Sequence, residues 1–541
     1  MSAPHRDAYR PVVMGRRGVV TSAHPLASMA GAEILLEGGN AVDAAVAVAA
    51  CLNVVEPFMS GIGGIGLMVV SIGRTRERHV LDFIGRTPAA ADAGAVTVKD
   101  LEGGPKACVT PGNCGGWLAA LERFGTMPRE RVLAPAIRLA EDGAPLTFKG
   151  VEFFEAARAT LARSAEAERI YLGPGGPRPG KLLVQKELAA TYRQVAEGGA
   201  EAFYRGPVGR AICRAVREGG GWLSEEDLAA FAPEWRRPVG TTFRGAEVCS
   251  VPPPFSAFQH LETLNVLEGY DLAAWGHNSA DYLHHLVEAV KLASADRLAY
   301  AYGPDVPIRG LLSKAYAASQ RVRIDAGRAG ASEGERHDPR RLPEQILPGH
   351  PARFADEATT HFACADASGV VVTVTQTLGA PFGSGFAVAG TGVVLNNLMK
   401  WMDLHPESPN VVRPGRKAGT MMSPTQIFRD GAFFMSIGTP GSYGILQTTP
   451  QMVVNALEFG MNVQEAIEAP RVRVYRDRLV DVEGRIAPGV REELGRRGHQ
   501  VNVIGDWSWI VGGGQGIVRD PESGALMGGA DPRRDGYAVA I

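Results

Sequence analysis

The residues Asp356-Glu357-Ala358-Thr359-Thr360-His361-Phe362 mark an abrupt change in the character of the chain. Before them, residues 324–358 are rich in Gly, Pro and charge, which is typical of an exposed linker. After them, residues 359–366 alternate small, apolar and polar side chains, as a β-strand does. The sequence therefore predicts a strand that begins at Thr359, directly after a linker.

A hairpin follows from the next residues. Ala367-Ser368-Gly369 predicts a three-residue turn, with Gly where a positive φ is needed. Residues 370–377 then return as a second strand, with valines on one face and threonines on the other. If the two residues that flank the turn pair with each other, Thr359 lies opposite Thr377. Their hydroxyls would then be close enough to share a hydrogen bond.

A threonine that opens a strand after a cleavable linker suggests an N-terminal nucleophile. The Thr hydroxyl is a weak nucleophile, but a free α-amino group on the same residue can act as its base. That amine exists only if the Ala358–Thr359 bond is cut. The alternative is an ordinary strand, since Thr has good β propensity.

Composition narrows the class of protein. The chain has 541 residues, 45% of them hydrophobic and 21% charged, which is typical of a soluble globular enzyme. The net charge of −2 gives no electrostatic footprint for nucleic acid or an anionic membrane. No signal peptide or membrane-spanning run is evident. Six scattered cysteines suit reduced thiols, so we expect a cytoplasmic protein.

Two motifs suggest a ligand, and both have a plainer interpretation. Gly61-Ile62-Gly63-Gly64-Ile65-Gly66 lies between a predicted helix pair (25–36 and 41–54) and a strand (67–72). A phosphate cradle needs strand, loop and then helix, so close backbone packing explains these glycines better. His284 and Glu288 share a helix face, but without a third ligand a structural pairing is favoured over a metal site. We expect no cofactor and no metal.

The remaining pattern indicates an α+β protein. Helical periodicity dominates residues 117–323, and strands dominate after the hairpin. The later strands are predicted at 392–395, 431–437, 479–482, 500–504 and 514–519, with helices at 446–459 and 488–497.

At this point the chain resembles the γ-glutamyltransferase (γ-glutamyl transpeptidase) family over nearly its whole length. The resemblance implies a four-layer αββα sandwich of the N-terminal-nucleophile hydrolase type. It also implies one domain, residues 1–541, that cuts itself into a large subunit (1–358) and a small subunit (359–541). The matching stretches are residues 22–28, 38–45, 55–57, 60–64, 124–128, 295–297, 359–362, 395–397, 422–424 and 531–533.

The family's catalytic roles can be carried over residue by residue. Thr359 resembles the nucleophile of self-cleavage and of turnover, and Thr377 resembles the threonine that supports it. Gly438-Thr439-Pro440-Gly441-Ser442 resembles the loop whose N–H groups at Gly441 and Ser442 form an oxyanion hole. An ordinary Pro-Gly turn is the alternative for this loop.

The family's γ-glutamyl pocket is not carried over intact. The positions that hold the substrate α-ammonium correspond here to Gly379, Leu398 and Trp401, none of which has an acceptor in its side chain. A buried ammonium without a partner costs several kcal/mol, so γ-glutamyl binding should be weak. The alternative is that the alignment slips and Asp403 supplies the acid.

Two altered positions could still bind the carboxylate of the substrate. The family's arginine falls at Ile84, and Arg86, two residues on, would share its strand face and could replace it. A family serine pair becomes Thr420-Met421.

The resemblance thus implies an amidohydrolase that hydrolyses or transfers an acyl group through an acyl-Thr359 intermediate. The acyl group carries a carboxylate but no α-amine, as in glutaryl or oxamate-like amides, and water is the favoured acceptor. One alternative is a true γ-glutamyl transpeptidase or glutathione hydrolase with a rearranged amine site. Another is a non-catalytic scaffold. The expected partners are a small amide and the two subunits of one precursor, without nucleic acid or membrane; a homodimer of the processed pair is also compatible.

Overall fold

The structure is a computed structural model that describes residues 8–303, 305–330, 358–475 and 477–541. Its strands, in chain order, are β1 (Val13–Gly15), β2 (Gly18–Ser22), β3 (Ile65–Ile72), β4 (Glu77–Asp82), β5 (Ala144–Pro145), β6 (Leu182–Leu183), β7 (Glu234–Arg236), β8 (Val239–Phe243), β9 (Ala246–Ser250), β10 (Ala358–Asp366), β11 (Val370–Gly379), β12 (Ala387–Val388), β13 (Val393–Val394), β14 (Thr425–Arg429), β15 (Ala432–Gly438), β16 (Val472–Val474), β17 (Leu479–Glu483), β18 (Gln500–Ile504), β19 (Gln515–Arg519), β20 (Leu526–Ala530) and β21 (Tyr537–Ala540).

The helices lie mostly in the first 330 residues. They are α1 (Pro25–Leu36), α2 (Ala41–Val55), α3 (Val98–Glu102), α4 (Asn113–Phe124), α5 (Arg129–Asp142), α6 (Phe148–Ala156), α7 (Arg158–Leu161), α8 (Ala165–Ala167), α9 (Lys186–Tyr204), α10 (Pro207–Glu218), α11 (Glu225–Ala229), α12 (Phe258–Leu267), α13 (Leu272–Trp275), α14 (Ala280–Tyr300), α15 (Ile308–Leu311), α16 (Lys314–Arg321), α17 (Ile445–Leu457), α18 (Val463–Glu468) and α19 (Pro488–Arg496). Short 3₁₀ turns include Leu398–Trp401 and Ser442–Gly444.

Two antiparallel seven-stranded sheets face each other across an apolar interior. The first sheet has the order β21-β2-β10-β11-β3-β4-β7, and the second has the order β1-β20-β19-β15-β14-β9-β8. Val19 and Val371 of the first sheet pack against Ile517 and Leu526 of the second, and these small clusters fill the space between the sheets.

Helices cover the outer faces of both sheets. All residues of α2 are buried, and the helix packs on Val372 and Val374 of β11. Asn40 caps its N-terminus and forms a reciprocal capping box with Asp43, which fixes where the helix begins. On the second sheet, α12, α14 and α17 pack against β14 and β15. The layer order is therefore αββα, and the predicted α+β sandwich is confirmed.

Each sheet contains strands from both sides of the Ala358–Thr359 bond. In the first sheet, β10 and β11 lie between β2 and β3, which come from the first part of the chain. In the second sheet, β9 pairs with the later strand β14 and carries β8 on its other edge. Neither part of the chain could complete a sheet alone, so a cut before Thr359 would leave the two fragments interleaved.

Some predicted elements need correction. Residues 117–323 are not wholly helical, because β7, β8 and β9 lie within them. The β8–β9 hairpin turns on Arg244 and Gly245, which have φ of 50° and 77°. A two-residue turn of this kind joins paired strands and usually has Asn or Gly at its first position. Arg244 occupies that position here, so the sequence pattern did not indicate a hairpin. Of the predicted linker, residues 331–357 lie outside the described part of the chain.

The glycine run between α2 and β3 packs backbone against backbone, as predicted. A Cβ on Gly63 would lie 2.2 Å from the carbonyl oxygen of Val394, and one on Gly64 would lie 2.4 Å from that of Thr377. These glycines bring the α2–β3 connection onto the end of β11. In the described residues, none of the helices has the length and apolar character that a membrane span needs.

Candidate active site

The hairpin of β10 and β11 has the predicted register along most of its length. Thr360 pairs with Gln376 and Ala365 pairs with Val371. At the start of β10 the register shifts, because Ala358 lies opposite Gly379, and Thr359 occupies the resulting bulge. The Thr359 and Thr377 hydroxyl oxygens are 3.5 Å apart, at the outer limit for a hydrogen bond. Bulges commonly redirect a side chain next to a reactive site.

Two hydroxyl groups lie next to the carbonyl oxygen of Ala358. The Thr377 hydroxyl donates a short hydrogen bond to it, and the Thr359 Oγ1 lies 2.8 Å from it. The backbone N–H of Gly379 donates to Thr377 Oγ1 at 2.8 Å, which orients the Thr377 hydroxyl toward the carbonyl. A donor on the carbonyl of the Ala358–Thr359 bond stabilises negative charge there during attack on its carbon. The arrangement can therefore support an N-to-O acyl shift at this bond.

Thr377→Val should slow self-cleavage by at least about a hundredfold, the usual effect of losing one oxyanion donor. Valine keeps the branched shape that β11 packs but cannot donate to the Ala358 carbonyl. A time course of fragment formation on denaturing gels measures the rate, and residual processed protein should also turn over more slowly.

Thr375→Val is the matched control, because Thr375 lies on the same strand face but bonds to His361 Nδ1 at 2.8 Å. It should process within a few-fold of the unmodified rate. Normal processing of Thr377→Val would contradict the role given to its hydroxyl.

A second set of contacts places the loop after β15 beside Thr359. Arg534 Nη1 donates to the carbonyl oxygen of Thr359 at 3.2 Å, and a Cβ on Gly513 would lie 2.8 Å from the Arg534 side chain. The N–H of Gly513 in turn donates to Thr439 Oγ1 at 2.9 Å. The predicted oxyanion loop, residues 438–442, is thereby tied to the residues that hold the nucleophile strand.

The backbone of this loop is unusual. Gly441 has a φ of 129°, and Ser442, which follows it, has a φ of 50°. Successive residues of this kind can form a concave nest of N–H donors. No hydrogen bond within the described residues engages the N–H of Gly441 or of Ser442. Both donors are therefore available to an oxyanion, and their catalytic role stays a prediction.

Glu56 lies on the opposite face of β10. Its Oε2 accepts a hydrogen bond from Thr360 Oγ1 at 3.1 Å, and its side chain is fully buried. Burial raises the pKa of Glu56 to about 7, while the charge of nearby Arg534 acts in the opposite direction. Glu56 is therefore a titratable group next to the nucleophile strand. It belongs to residues 55–57, one of the stretches that carried the family resemblance, but no role was attached to it.

Glu56→Gln should alter the pH dependence of stability. The pKa of Glu56 rises from an ordinary value near 4.5 to about 7 on folding. The contribution of Glu56 to the free energy of unfolding is therefore fully present below about pH 4.5, and it is lost as the pH rises to about 7. The total loss is about 3 kcal/mol, at about 1.36 kcal/mol for each pKa unit. The melting temperature of the Gln variant, relative to that of the unmodified protein, should be higher at pH 8 than at pH 5. A constant difference between them would contradict this assignment.

The three positions predicted to form the ammonium site are all near the end of β11. Each of them lacks a side-chain acceptor in a different structural setting. Gly379 has a φ of 105°, and a Cβ there would lie 2.2 Å from Asn397 Oδ1, so the backbone requires glycine. Leu398 is buried in an apolar cluster with Ile84 and Met422. Neither residue carries a side-chain acceptor, and the assignment of these positions to an ammonium site stays a prediction.

Trp401 is half-buried and packs edge-on against Tyr443, with ring centroids 5.5 Å apart. Met421 joins the same apolar cluster. Asp403, the alternative acid, is buried and accepts a short hydrogen bond from Ser408 of its own loop. The carboxylate of Asp403 is thus already used in holding that loop.

Arg86 does not occupy the predicted place. Its guanidinium donates to Glu234 at 2.9 Å and to the carbonyl of Gly415 at 3.2 Å, and it is 56% exposed. The cavity it lines includes Ile84 and Lys417 but not Thr359. The prediction assumed strand alternation through residue 86, whereas β4 ends at Asp82. Arg86 is therefore corrected from a substrate ligand to a surface ion pair.

The polar side chain of Thr420 lies next to the apolar cluster of Met421 and Tyr443. It is buried, and its Oγ1 has no hydrogen-bond partner among the described residues. An unpaired buried hydroxyl can accept or donate to a ligand without breaking an existing bond. Thr420 stays a candidate for contact with the substrate.

Sequence reasoning also missed two further residues that bear on this site, Arg297 and Tyr443. The guanidinium carbon of Arg297 lies 4.4 Å from the centre of the Tyr443 ring. Arg297 belongs to one of the stretches that carried the family resemblance, so a signal existed, but no role was attached to it.

The structure adds His499 to the His284–Glu288 helix face, as the third potential metal ligand that the sequence pattern lacked. His284 Nδ1 lies 2.9 Å from His499 Nε2, and Glu288 forms an ion pair with Lys291 at 2.8 Å. His284, Glu288 and His499 could together approach one metal ion. The Lys291 ammonium already neutralises the only carboxylate of this trio, which disfavours a divalent cation.

Comparisons with known proteins agree with this geometry. The sequence model of the family described as Gamma-glutamyltranspeptidase matches residues 27–541. The Acylase ACY 1 proenzyme of Pseudomonas sp. (strain V22) is 38% identical over 550 residues, covering 97% of this chain and 94% of that protein. The Glutathione hydrolase proenzyme of Escherichia coli (strain K12) is 34% identical, covering 97% and 92%. The crystal structure of cephalosporin acylase from Bacillus halodurans superimposes with a TM-score of 0.89 at 32% identity, covering 100% and 98%.

Proposed function

The chain belongs to the gamma-glutamyltranspeptidase family, and from that premise we propose that it is an acylase whose nucleophile is the threonine released by its own cleavage. Its relatives are made as proenzymes, and the chain is an amidohydrolase of the same family. We place the cleavage between Ala358 and Thr359, which gives fragments of residues 1–358 and 359–541.

One observation carries the proposal most directly: the Ala358 carbonyl accepts from Thr377, beside the Thr359 hydroxyl. In self-cleavage, Thr359 Oγ1 attacks the Ala358 carbonyl carbon, the C–N bond breaks, and the nitrogen takes up the hydroxyl proton. Water then hydrolyses the resulting ester, which leaves a carboxylate on Ala358 and a free hydroxyl on Thr359. The Thr359 amine, released when the C–N bond broke, can act as the base in later turnovers.

Turnover follows from the same residues. Thr359 Oγ1 attacks the substrate amide as the α-amine takes its proton, and the N–H groups of Gly441 and Ser442 stabilise the oxyanion. The proton then passes to the leaving amine, and water releases the acyl group from Thr359.

The proposed acyl group carries a carboxylate but no α-amine, as glutaryl and oxamate-like groups do. The absence of an acceptor at Gly379, Leu398 and Trp401 supports this choice, and so does similarity to proteins named as acylases. Thr420 is the remaining candidate contact for the carboxylate, now that Arg86 is paired with Glu234. We also propose a cytoplasmic location, supported by six buried, unpaired cysteines.

Mass spectrometry of rapidly quenched reactions tests this proposal. With a glutaryl amide, the 359–541 fragment should gain the mass of one acyl group, and peptide mapping should locate it on Thr359. Acylation of another residue, or turnover without any acylated fragment under burst conditions, would refute the mechanism. Protein left without substrate is the matched control.

A further inference from the structure

We propose that Arg297 is a positioning residue for the oxyanion loop and acts through the ring of Tyr443. The inference rests on the proposed function, because it assigns a task to a residue distant in sequence from that loop. Arg297 fixes the direction in which the Gly441 and Ser442 N–H groups point and does not itself contact the substrate.

Arg297 is a buried cation held by neutral partners. It lies on α14 with 1% of its surface exposed, and its Nε donates to Gln259 Oε1 at 2.7 Å. Gln259 is itself fixed by donating to Ser294 Oγ at 2.9 Å. Across the described ranges, no carboxylate forms an ion pair with Arg297, and its Nη2 has no hydrogen-bond partner. The aromatic ring beneath it is therefore the main group that compensates its charge.

That ring belongs to Tyr443, which follows the predicted oxyanion donors directly. The Arg297 guanidinium lies 4.4 Å from the ring centre, and Trp401 packs edge-on at 5.5 Å. Tyr443 is 4% exposed. These two neighbours confine its ring together with the apolar side chains of Met421, Ile445 and Leu446, and its hydroxyl is hydrogen-bonded to Tyr302. A cation over an aromatic face gains strength when both groups are removed from water.

Confinement of the ring matters because the loop is strained. Ser442 has a φ of 50°, which is unfavourable for a residue other than glycine. Such conformations persist only where the surroundings fix them. Tyr443, locked by Arg297, holds the C-terminal side of Ser442 in the 3₁₀ turn Ser442–Gly444. Both N–H donors would otherwise relax away from the oxyanion.

The structure separates this task from self-cleavage. The Ala358 carbonyl accepts its hydrogen bond from the Thr377 hydroxyl and not from the loop. A defect in the loop should therefore lower turnover while self-cleavage continues, whereas a general loss of fold would impair both. It should lower kcat rather than raise KM, because the oxyanion forms only in the transition state.

A double-mutant cycle on the full-length, self-processed protein tests the proposal. Arg297→Met removes the cation and keeps the length of the side chain, and Tyr443→Leu removes the ring. Each should lower kcat for a glutaryl amide at least about tenfold, with KM and the self-cleavage rate within about threefold. The double variant should be little worse than either single one. Arg297→Lys and Tyr443→Phe, which keep the cation and the ring, should retain most of kcat.

Several outcomes would overturn the proposal: additive effects, a loss confined to KM, an unchanged kcat in either single variant, or equal loss of self-cleavage and turnover. If Arg297→Met fails to fold, Arg297→Gln takes its place in the same cycle, and a folded Gln variant with unchanged kcat overturns the proposal. An active Thr359→Ala protein would instead refute the proposed function, so the two failures remain distinguishable.

Discussion

Thr359→Ala is expected to remain a single 541-residue chain and to lose more than about 10⁴-fold of its amidase activity. Alanine removes the hydroxyl that lies 2.8 Å from the Ala358 carbonyl oxygen, next to that of Thr377. Without it there is neither an N-to-O shift nor an acyl-enzyme, and loss of a covalent nucleophile has effects of this size or larger. Denaturing gels, intact mass and initial rates measure the result. The unmodified protein should yield fragments of residues 1–358 and 359–541.

Thr360→Ala is the matched control, because it removes the same side chain one residue further along β10. Thr360 faces the other side of the sheet, where its hydroxyl bonds to Glu56. Its loss should weaken stability without stopping the cut. An uncut but fully active unmodified protein would exclude an N-terminal nucleophile. Cleavage of Thr359→Ala at the usual rate would exclude the proposed attack.

The hairpin that carries Thr359 was predictable because its register depends on local features. A three-residue turn fixes which residues pair, and strand alternation then places Thr359 near Thr377. The bulge at Thr359 was not predictable, since it arises where Ala358 slips to face Gly379. That slip brings the Ala358 carbonyl within reach of the Thr377 hydroxyl, so the chemistry depends on a departure from the regular pattern.

The error at Arg86 has a related cause. Residues two apart share a face only while the strand continues, and β4 ends four residues before Arg86. A charge predicted to face the substrate instead pairs with Glu234. Gly379 illustrates a different limit. Its lack of a side chain was interpreted as a loss of substrate contact, whereas crowding by Asn397 and a positive φ require glycine there.

Long-range pairs lay beyond the reach of sequence patterns. Arg297 and Tyr443 lie far apart in the chain and are brought together only when α14 and the turn before α17 pack on the same side of the second sheet. Periodicity can place Arg297 on a helix face, but it cannot identify an aromatic ring 146 residues later as its partner. The sequence therefore predicted the reacting groups, and folding supplied the groups that hold them in position.

A glutaryl amide is expected to be a better substrate than the matching γ-glutamyl amide by at least about tenfold in kcat/KM. The two differ only in an α-ammonium, and Gly379, Leu398 and Trp401 offer it no side-chain acceptor. An unpaired buried charge costs several kcal/mol, and each 1.4 kcal/mol is tenfold, so tenfold is a lower bound. Initial rates with one leaving group common to both amides measure the preference.

Two substitutions locate the origin of that preference. Trp401→Asp should narrow or reverse it by supplying a carboxylate for the ammonium, whereas Trp401→Phe, which keeps an aromatic ring against Tyr443, should preserve it. Arg86→Ala should leave both rates nearly unchanged, because its guanidinium is bound to Glu234. Equal rates for the two substrates would mean that another acid, most plausibly Asp403 released from Ser408, binds the ammonium. The choice of acyl group would then be wrong, but the reaction at Thr359 would stand, because the contacts that place the Thr359 hydroxyl beside the Ala358 carbonyl and Thr377 do not depend on which acid binds the ammonium.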